Sequence, residues 1–301
     1  MAIESSLSGL GGGRLNAFNP ISAAGARGMA FFESRGMKLH YEMVGSGPAV
    51  LMLHGFSNHG MVWAQQIADL LDAGYRVVLP DLAGHGLSQA ADQKTTVDEL
   101  AQDMVNLLDH LAIDRTIVCG LSLGGMVAQY MVADHPARVS ALVVANSCVD
   151  STAPDVVAAI DSWIEMFEKP NGPLLRLQAV WPQMLNERYR ASPAGDAFLE
   201  TWKRINGKIP GSSFANVARG LRQFKSADRL NKVKVPCLVI SGEFDRLFPP
   251  AVCQEIANLI SGATFAVIGG AGHLSSLDSP RGFNDSVLKF LQGFCDLAQH
   301  C

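Results

Sequence analysis

Short runs that are apolar almost from end to end, rather than alternating, constrain this chain most. Ala49–Leu53, Tyr75–Leu79, Thr116–Cys119, Val139–Ala145, Cys237–Ile240 and Thr264–Ile268 are all of this kind. Strands with no polar face are buried on both sides, which is the pattern of a parallel sheet covered by helices. The intervening stretches fit, because Trp63–Leu71, Leu123–Asp134, Pro250–Ile260 and Pro280–Leu297 read as helices. The clearest helix carries Val97, Leu100, Ala101, Met104, Leu107, Leu108 and Leu111 at helical spacing, and Thr96 and Glu99 form a capping box at its start. Ala30–Phe32 and Met37–Val44 read as two short strands joined at Gly36, the one place where antiparallel pairing is expected. The class is therefore α/β.

Residues 151–225 break the rhythm. They offer no convincing strand, frequent Pro and Gly, and the large aromatics Trp163, Phe167, Trp181, Tyr189, Phe198, Trp202, Phe214 and Phe224. This segment is expected to be a helical insertion over the carboxyl ends of the strands, where open α/β sheets bind ligands. The expected organisation is a core over 29–150 and 226–301, an inserted helical cap over 151–225, and a flexible extension over 1–28. The extension is rich in Gly, Ala and Ser, lacks the apolar region of a secretory signal, and ends before Met29, an alternative start.

Composition narrows the function classes. A formal net charge of −4 and the absence of any Lys/Arg run argue against nucleic-acid binding. A polyanionic substrate is not suggested either, although a pocket can hide one or two arginines. No apolar run is long enough to span a bilayer. The cysteines Cys119, Cys148, Cys237, Cys253, Cys295 and Cys301 show no zinc-ligand spacing and read as buried free thiols, which fits a reducing compartment such as the cytoplasm.

The chemistry centres on Gly120-Leu121-Ser122-Leu123-Gly124, a G-x-S-x-G sequence directly after an expected strand and directly before an expected helix. A serine there sits on a sharp, strained turn with its hydroxyl above the sheet and the positive end of a helix beside it. A serine hydroxyl is a weak nucleophile until a base takes its proton. In such motifs the acid and the histidine follow the serine in the chain. Asp245 lies just past the strand Cys237–Ile240, and His273 follows the glycine-rich end of Thr264–Ile268. Glu243 and Asp150 compete with Asp245 for the acid's role. His54-Gly55-Phe56 follows Ala49–Leu53, so the Phe56 and Leu123 amides are candidates for an oxyanion hole, worth about 3 kcal/mol per donor. His54 reads as a loop brace, His59 and His85 as loop residues, and Asp81 as a turn former without assigned chemistry.

These motifs, together with Pro80-Asp81 to Gly86-Leu87-Ser88 and Pro249, resemble the α/β-hydrolase superfamily over about residues 30–298. Within it, Gly120–Gln129 and His273–Pro280 look like 3-oxoadipate enol-lactonases and related small esterases. The serine at the nucleophile position speaks against the dehalogenase and epoxide hydrolase branches. The resemblance implies the α/β-hydrolase fold, a triad of Ser122, Asp245 and His273, an oxyanion hole from Phe56 and Leu123, and no cofactor or metal. The expected activity is hydrolysis of a small ester or lactone through an acyl-enzyme, and the aromatic cap favours a hydrophobic or aromatic substrate. C–C bond hydrolysis or perhydrolysis on the same residues, or a hydrolase-fold receptor for a small molecule, are the alternatives.

Overall fold

The computed structural model describes residues 30–298, so the expected extension over 1–28 lies outside the described residues. Eight strands form one sheet. They are β1 (Ala30–Ser34), β2 (Met37–Val44), β3 (Ala49–Leu53), β4 (Arg76–Pro80), β5 (Thr116–Leu121), β6 (Val139–Ala145), β7 (Cys237–Gly242) and β8 (Thr264–Ile268). Their spatial order is β1-β2-β4-β3-β5-β6-β7-β8. The first two strands pair antiparallel with each other, β2 pairs antiparallel with β4, and every later pairing is parallel.

Burial follows the apolar runs. Every residue of β3, β5 and β7 is buried, as the absence of a polar face requires. One expectation fails at the edge. The last strand, β8, lies at the sheet edge and is largely open, with Val267 47% exposed. Each fully buried Val, Leu or Ile contributes about 1.5–3 kcal/mol relative to exposure, so the central strands dominate the core.

The helices between the strands are α1 (Ala64–Asp72), α2 (Val97–His110) and α3 (Leu123–Asp134). The Thr96–Glu99 capping box forms as read, with Thr96 N–H donating to Glu99 Oε2 at 2.7 Å and Glu99 N–H to Thr96 Oγ1 at 3.2 Å. The strand β1 is clamped to α2 by Arg35, whose Nε and Nη2 both donate to Asp103 at 2.8 Å. By contrast, α3 has no polar side: Leu123 to Val132 are all buried, with the sheet against one side of the helix and α2 against another.

Between β6 and β7 come α4 (Pro154–Phe167), α5 (Gly172–Met184), α6 (Glu187–Arg190), α7 (Pro193–Asn206), α8 (Gly211–Leu221) and α9 (Ala227–Leu230). No strand interrupts them; a single isolated bridge, Asp150 to Lys225, closes the base of the excursion. The chain ends with α10 (Pro250–Leu259), α11 (Ser275–Asp278) and α12 (Pro280–Ala298). No helix among the described residues is long and apolar enough to cross a membrane. Cys119, Cys148, Cys237 and Cys253 are buried free thiols.

Candidate active site

Four neighbouring parallel strands, β5 to β8, each lead into one polar residue at the same end of the sheet: Ser122, Asn146, Asp245 and His273. Ser122 stands between β5 and α3 with φ 56° and ψ −117°. That backbone conformation costs a non-glycine residue about 1–3 kcal/mol. It is held by Ser122 N–H donating to Ala145 O and by Ser147 Oγ donating to Ser122 O, both at 2.9 Å. The flanking glycines are steric necessities. A Cβ on Gly120 would lie 2.1 Å from Gly124 O, and one on Gly124 would lie 2.1 Å from Leu53 O. No hydrogen bond ties Ser122 Oγ to another described residue, and the residue is half-buried at a cavity wall.

Asp245 and His273 come together. The His273 Nδ1 lies 2.9 Å from Asp245 Oδ2, and both residues are buried. Asp245 Oδ1 accepts from the Leu247 and Phe248 amides at 2.8 and 3.0 Å, and Oδ2 also accepts from Asn146 Nδ2 at 2.9 Å. Burial alone would raise the Asp245 pKa. The adjacent His273, the Phe248 amide and the Asn146 amide outweigh it and hold the carboxyl below its ordinary range. An ionised carboxylate accepts only, so Nδ1 is the protonated nitrogen of the neutral ring and Nε2 is left as the acceptor. The two competing acids are elsewhere. Glu243 accepts from Gly270 N–H at 2.7 Å, and Asp150 accepts from Thr152 N–H at 2.7 Å.

The remaining histidines and Asp81 organise the loops. His54 lies within hydrogen-bond distance of its neighbours at both ring nitrogens: Nδ1 is 2.8 Å from Gly55 O, and Nε2 accepts from Leu82 N–H at 2.9 Å. Complete burial pulls its pKa down to about 4, so it braces the loop as a neutral ring. His85 is a loop residue but wholly buried, packed edge-on against Phe56 with centroids 5.5 Å apart. Asp81 is more than a turn former. It accepts from Gly60 N–H at 2.7 Å and Leu87 N–H at 2.8 Å and pairs with His40 Nδ1 at 3.0 Å. Burial opposes its charge, but these partners pull it to about 2.

Ser122 and His273 open onto one cavity of about 250 Å³, walled by Phe56, Trp163, Met184 and Phe248 among others. The Gly55–Phe56 backbone lies against the serine, since a Cβ on Gly55 would come 3.3 Å from Ser122 Cβ. Leu123 is the first residue of α3, so its N–H has no carbonyl to meet within the helix. A larger open cleft of about 1060 Å³ runs along α6 past Gly270 and Asp278, but neither Ser122 nor His273 lines it. Of the eight aromatics between residues 151 and 225, Trp163 reaches the cavity beside Ser122 and His273. Phe167, Trp202, Phe214 and Phe224 are buried packing.

Two contributors escape a reading for nucleophile, acid and base. Asn146, with φ 48°, follows β6 directly, and its Oδ1 accepts from Ser275 Oγ at 2.6 Å while its amide holds Asp245. Its signal is positional: it ends an apolar strand next to the serine's own. Arg176 is the sole charged residue in α5, which is otherwise apolar or neutral. It is wholly buried, lines the cavity, and donates from Nη1 to Ser57 Oγ at 2.9 Å. Its guanidinium carbon lies 4.5 Å from the ring centre of Trp163 and 5.0 Å from that of Phe56. Cation–π contacts of this kind supply about 2 kcal/mol when desolvated. They do not replace a counter-charge, and burial pulls the guanidinium down to about 9.

The family model for the α/β-hydrolase fold matches residues 48–280. A RutD protein of Variovorax paradoxus, named as a candidate carbamate hydrolase, is 31% identical over 85% of this chain and 96% of its own. The 3-oxoadipate enol-lactonase 2 of Acinetobacter baylyi is 28% identical over 85% of this chain and 94% of its own. Among solved structures, a thermophilic esterase from Thermogutta terrifontis superimposes with a TM-score of 0.80 at 26% identity, over 88% of this chain and 97% of the esterase.

Proposed function

The chain belongs to the α/β-hydrolase fold family, and we propose that it acts as a serine hydrolase opening a small carboxylic ester or lactone through an acyl-enzyme. The observation that carries this reading is the convergence of a strained serine and an aspartate-held histidine on one cavity. The enol-lactonase and esterase relatives support it.

In the proposed reaction His273 Nε2 takes the proton from Ser122 Oγ as that oxygen attacks the carbonyl carbon. The tetrahedral oxyanion accepts from the Phe56 and Leu123 amides, which are fixed before the reaction starts. Collapse breaks the bond to the leaving oxygen, and that oxygen takes the proton from His273. Water, deprotonated by the same nitrogen, then attacks the acyl-enzyme and releases Ser122. Asp245 stays ionised throughout and holds the imidazole in the required tautomer. The serine–histidine hydrogen bond closes when substrate fills the cavity, as catalytic contacts often do. The helices between β6 and β7 act as a cap, and Val156, Ile160, Trp163, Arg176, Met184 and Leu221 are among its contributions to the walls. The buried thiols fit a reducing compartment such as the cytoplasm.

The test is a panel of p-nitrophenyl esters and simple lactones, run beside Ser122→Ala. Multiple turnovers that disappear in the variant are expected. Equal rates in both proteins, or no turnover by the wild type, would move the reading to C–C bond hydrolysis or to a ligand receptor.

A further inference from the structure

We propose that Arg176 forms an anion subsite in the reactive cavity, and that the substrate is a short ester or lactone bearing a free carboxylate that docks there. The inference rests on the hydrolase reading above and names the class of molecule it takes.

One buried charge in this cavity lacks an opposite. Arg176 is wholly buried, yet no carboxylate pairs with it among the described residues. Its one hydrogen bond goes to the neutral Ser57 hydroxyl, and its Nε has no partner. A buried guanidinium is ordinarily matched by an acid, because removing it from water is costly. Asp155, the carboxylate that also lines this cavity, sits exposed in the first turn of α4 and makes no ion pair with it.

A second orphaned donor lines the same space. Asn58 is buried, and its Nδ2 has no partner. Two residues with unsatisfied donors, one of them cationic, therefore border a cavity whose other walls are mainly apolar. A carboxylate answers both, since the planar guanidinium fork matches its two oxygens. The location suits a substrate group rather than a remote site. Arg176 is fastened to Ser57, the residue after Phe56, whose amide is the proposed oxyanion donor. An anion held there leaves the ester carbonyl of the same short molecule within reach of Ser122, and the cavity's volume of about 250 Å³ admits little more than that.

The alternative is that the guanidinium only cements the rings of Phe56, Trp163 and Phe167. Binding to Ser122→Ala separates the two, because it needs no turnover. Monomethyl glutarate and dimethyl glutarate have nearly the same size and differ in one charge. Calorimetric titration at pH 7.5 is expected to show the monoester binding at least tenfold more tightly. That ratio should fall toward one in Ser122→Ala/Arg176→Met and be kept in part in Ser122→Ala/Arg176→Lys, which retains the charge without the fork. Equal binding of the two esters, tighter binding of the diester, detectable binding of neither, or a ratio untouched by Arg176→Met each overturns the subsite. Should the Met variant fail to fold by circular dichroism, the ratio in Ser122→Ala and its change in the Lys variant decide. Failure of the ester panel with wild type would strike the hydrolase reading and with it the ester or lactone as the docked molecule, whereas failure of this titration strikes the subsite and leaves the hydrolase reading standing.

Discussion

Asn146 Nδ2 and His273 Nδ1 meet on one oxygen, Oδ2 of Asp245, each at 2.9 Å. The three residues follow β6, β8 and β7 respectively, so the acid is gripped from the strands on both sides of its own. Asp245→Asn places an amide where the imidazole needs an acceptor, and kcat should drop by about 10⁴-fold with the fold intact, as when the acid of a comparable triad is replaced. Asn146→Gly is the subtler test. Glycine tolerates the backbone at φ 48°, so the change removes the donor without adding strain. A lost hydrogen bond to a charged group is worth about 1.5–3 kcal/mol. The expected outcome is kcat about tenfold or more lower, KM little changed, and acid unfolding shifted to higher pH. The last part follows from the sign of linkage. The Asp245 pKa is depressed in the folded state, so its stabilisation is present above the ordinary carboxylate pKa and lost as pH falls through the lower folded value. An Asn146→Gly protein whose kcat and acid unfolding both match wild type would show that Asp245 needs no support from this side.

The elbow is expected to tolerate no side chain at its second glycine. A Cβ on Gly124 would lie 2.1 Å from Leu53 O and 2.8 Å from His54 O, both backbone atoms that cannot swing aside. Gly124→Ala should therefore lose several degrees in Tm and essentially all esterase activity together. Gly293→Ala is the control, because a Cβ there meets nothing within 4 Å; it should leave activity unchanged and Tm equal or slightly higher, since alanine favours the interior of α12. A Gly124→Ala protein with wild-type rates would mean that the β3 loop can retreat and that the elbow is not the constraint described.

Much of this architecture is legible from the residues because single interactions fix it locally. Val139–Ala145 has no polar face and can only be an interior strand; Thr96 and Glu99 cap a helix whatever else surrounds them. The placement of Ser122, Asp245 and His273 at one edge follows from parallel strands all ending there. Other features depend on contacts between distant segments. The exposure of β8 reflects its position at the sheet edge, which its apolar sequence does not encode. Arg176 looks like one ordinary cation until the helix is folded against Phe56 and Trp163, 120 and 13 residues away in sequence. Asp81 resembles any turn aspartate until β2, β4 and the loop after β3 are seen to converge on it.

Two buried histidines predict loss of stability in mild acid. Burial holds His54 at about 4 and His85 at about 3, against an ordinary value of 6.5. Both rings are then neutral in the fold but protonate in the unfolded chain, so the stabilisation is complete above 6.5 and is lost as pH falls from there toward 4. Each pKa unit corresponds to about 1.4 kcal/mol, so His54 alone accounts for about 3 kcal/mol between those limits. Thermal melts from pH 7.5 to 4 should show a steep fall, shallower in His54→Gln, even though that variant is less stable at neutral pH. Parallel curves for the two proteins would remove His54 as the cause.

Asp278 should act in the opposite sense, and its effect can be isolated from that of the histidines. Its Oδ2 accepts from Asn186 N–H at 2.7 Å and Gly272 N–H at 2.9 Å, while its buried Oδ1 has no partner. Burial outweighs those two bonds and raises the carboxyl to about 6. A raised acid contributes stability that is complete below the ordinary 3.8 and is lost as pH rises through 6. In the folded protein at pH 8 the ionised carboxylate costs at most about 3 kcal/mol, less the part that solvent screens. An asparagine side chain at this position would retain an oxygen for the two amides and remove the charge, so Asp278→Asn should raise Tm at pH 8 by several degrees and leave it unchanged or lower at pH 4.5. The difference between the two proteins is the relevant measurement, because the histidine contribution is common to both and cancels. A constant difference across that range would mean that Asp278 stays ionised throughout, and that its two amide bonds outweigh the burial.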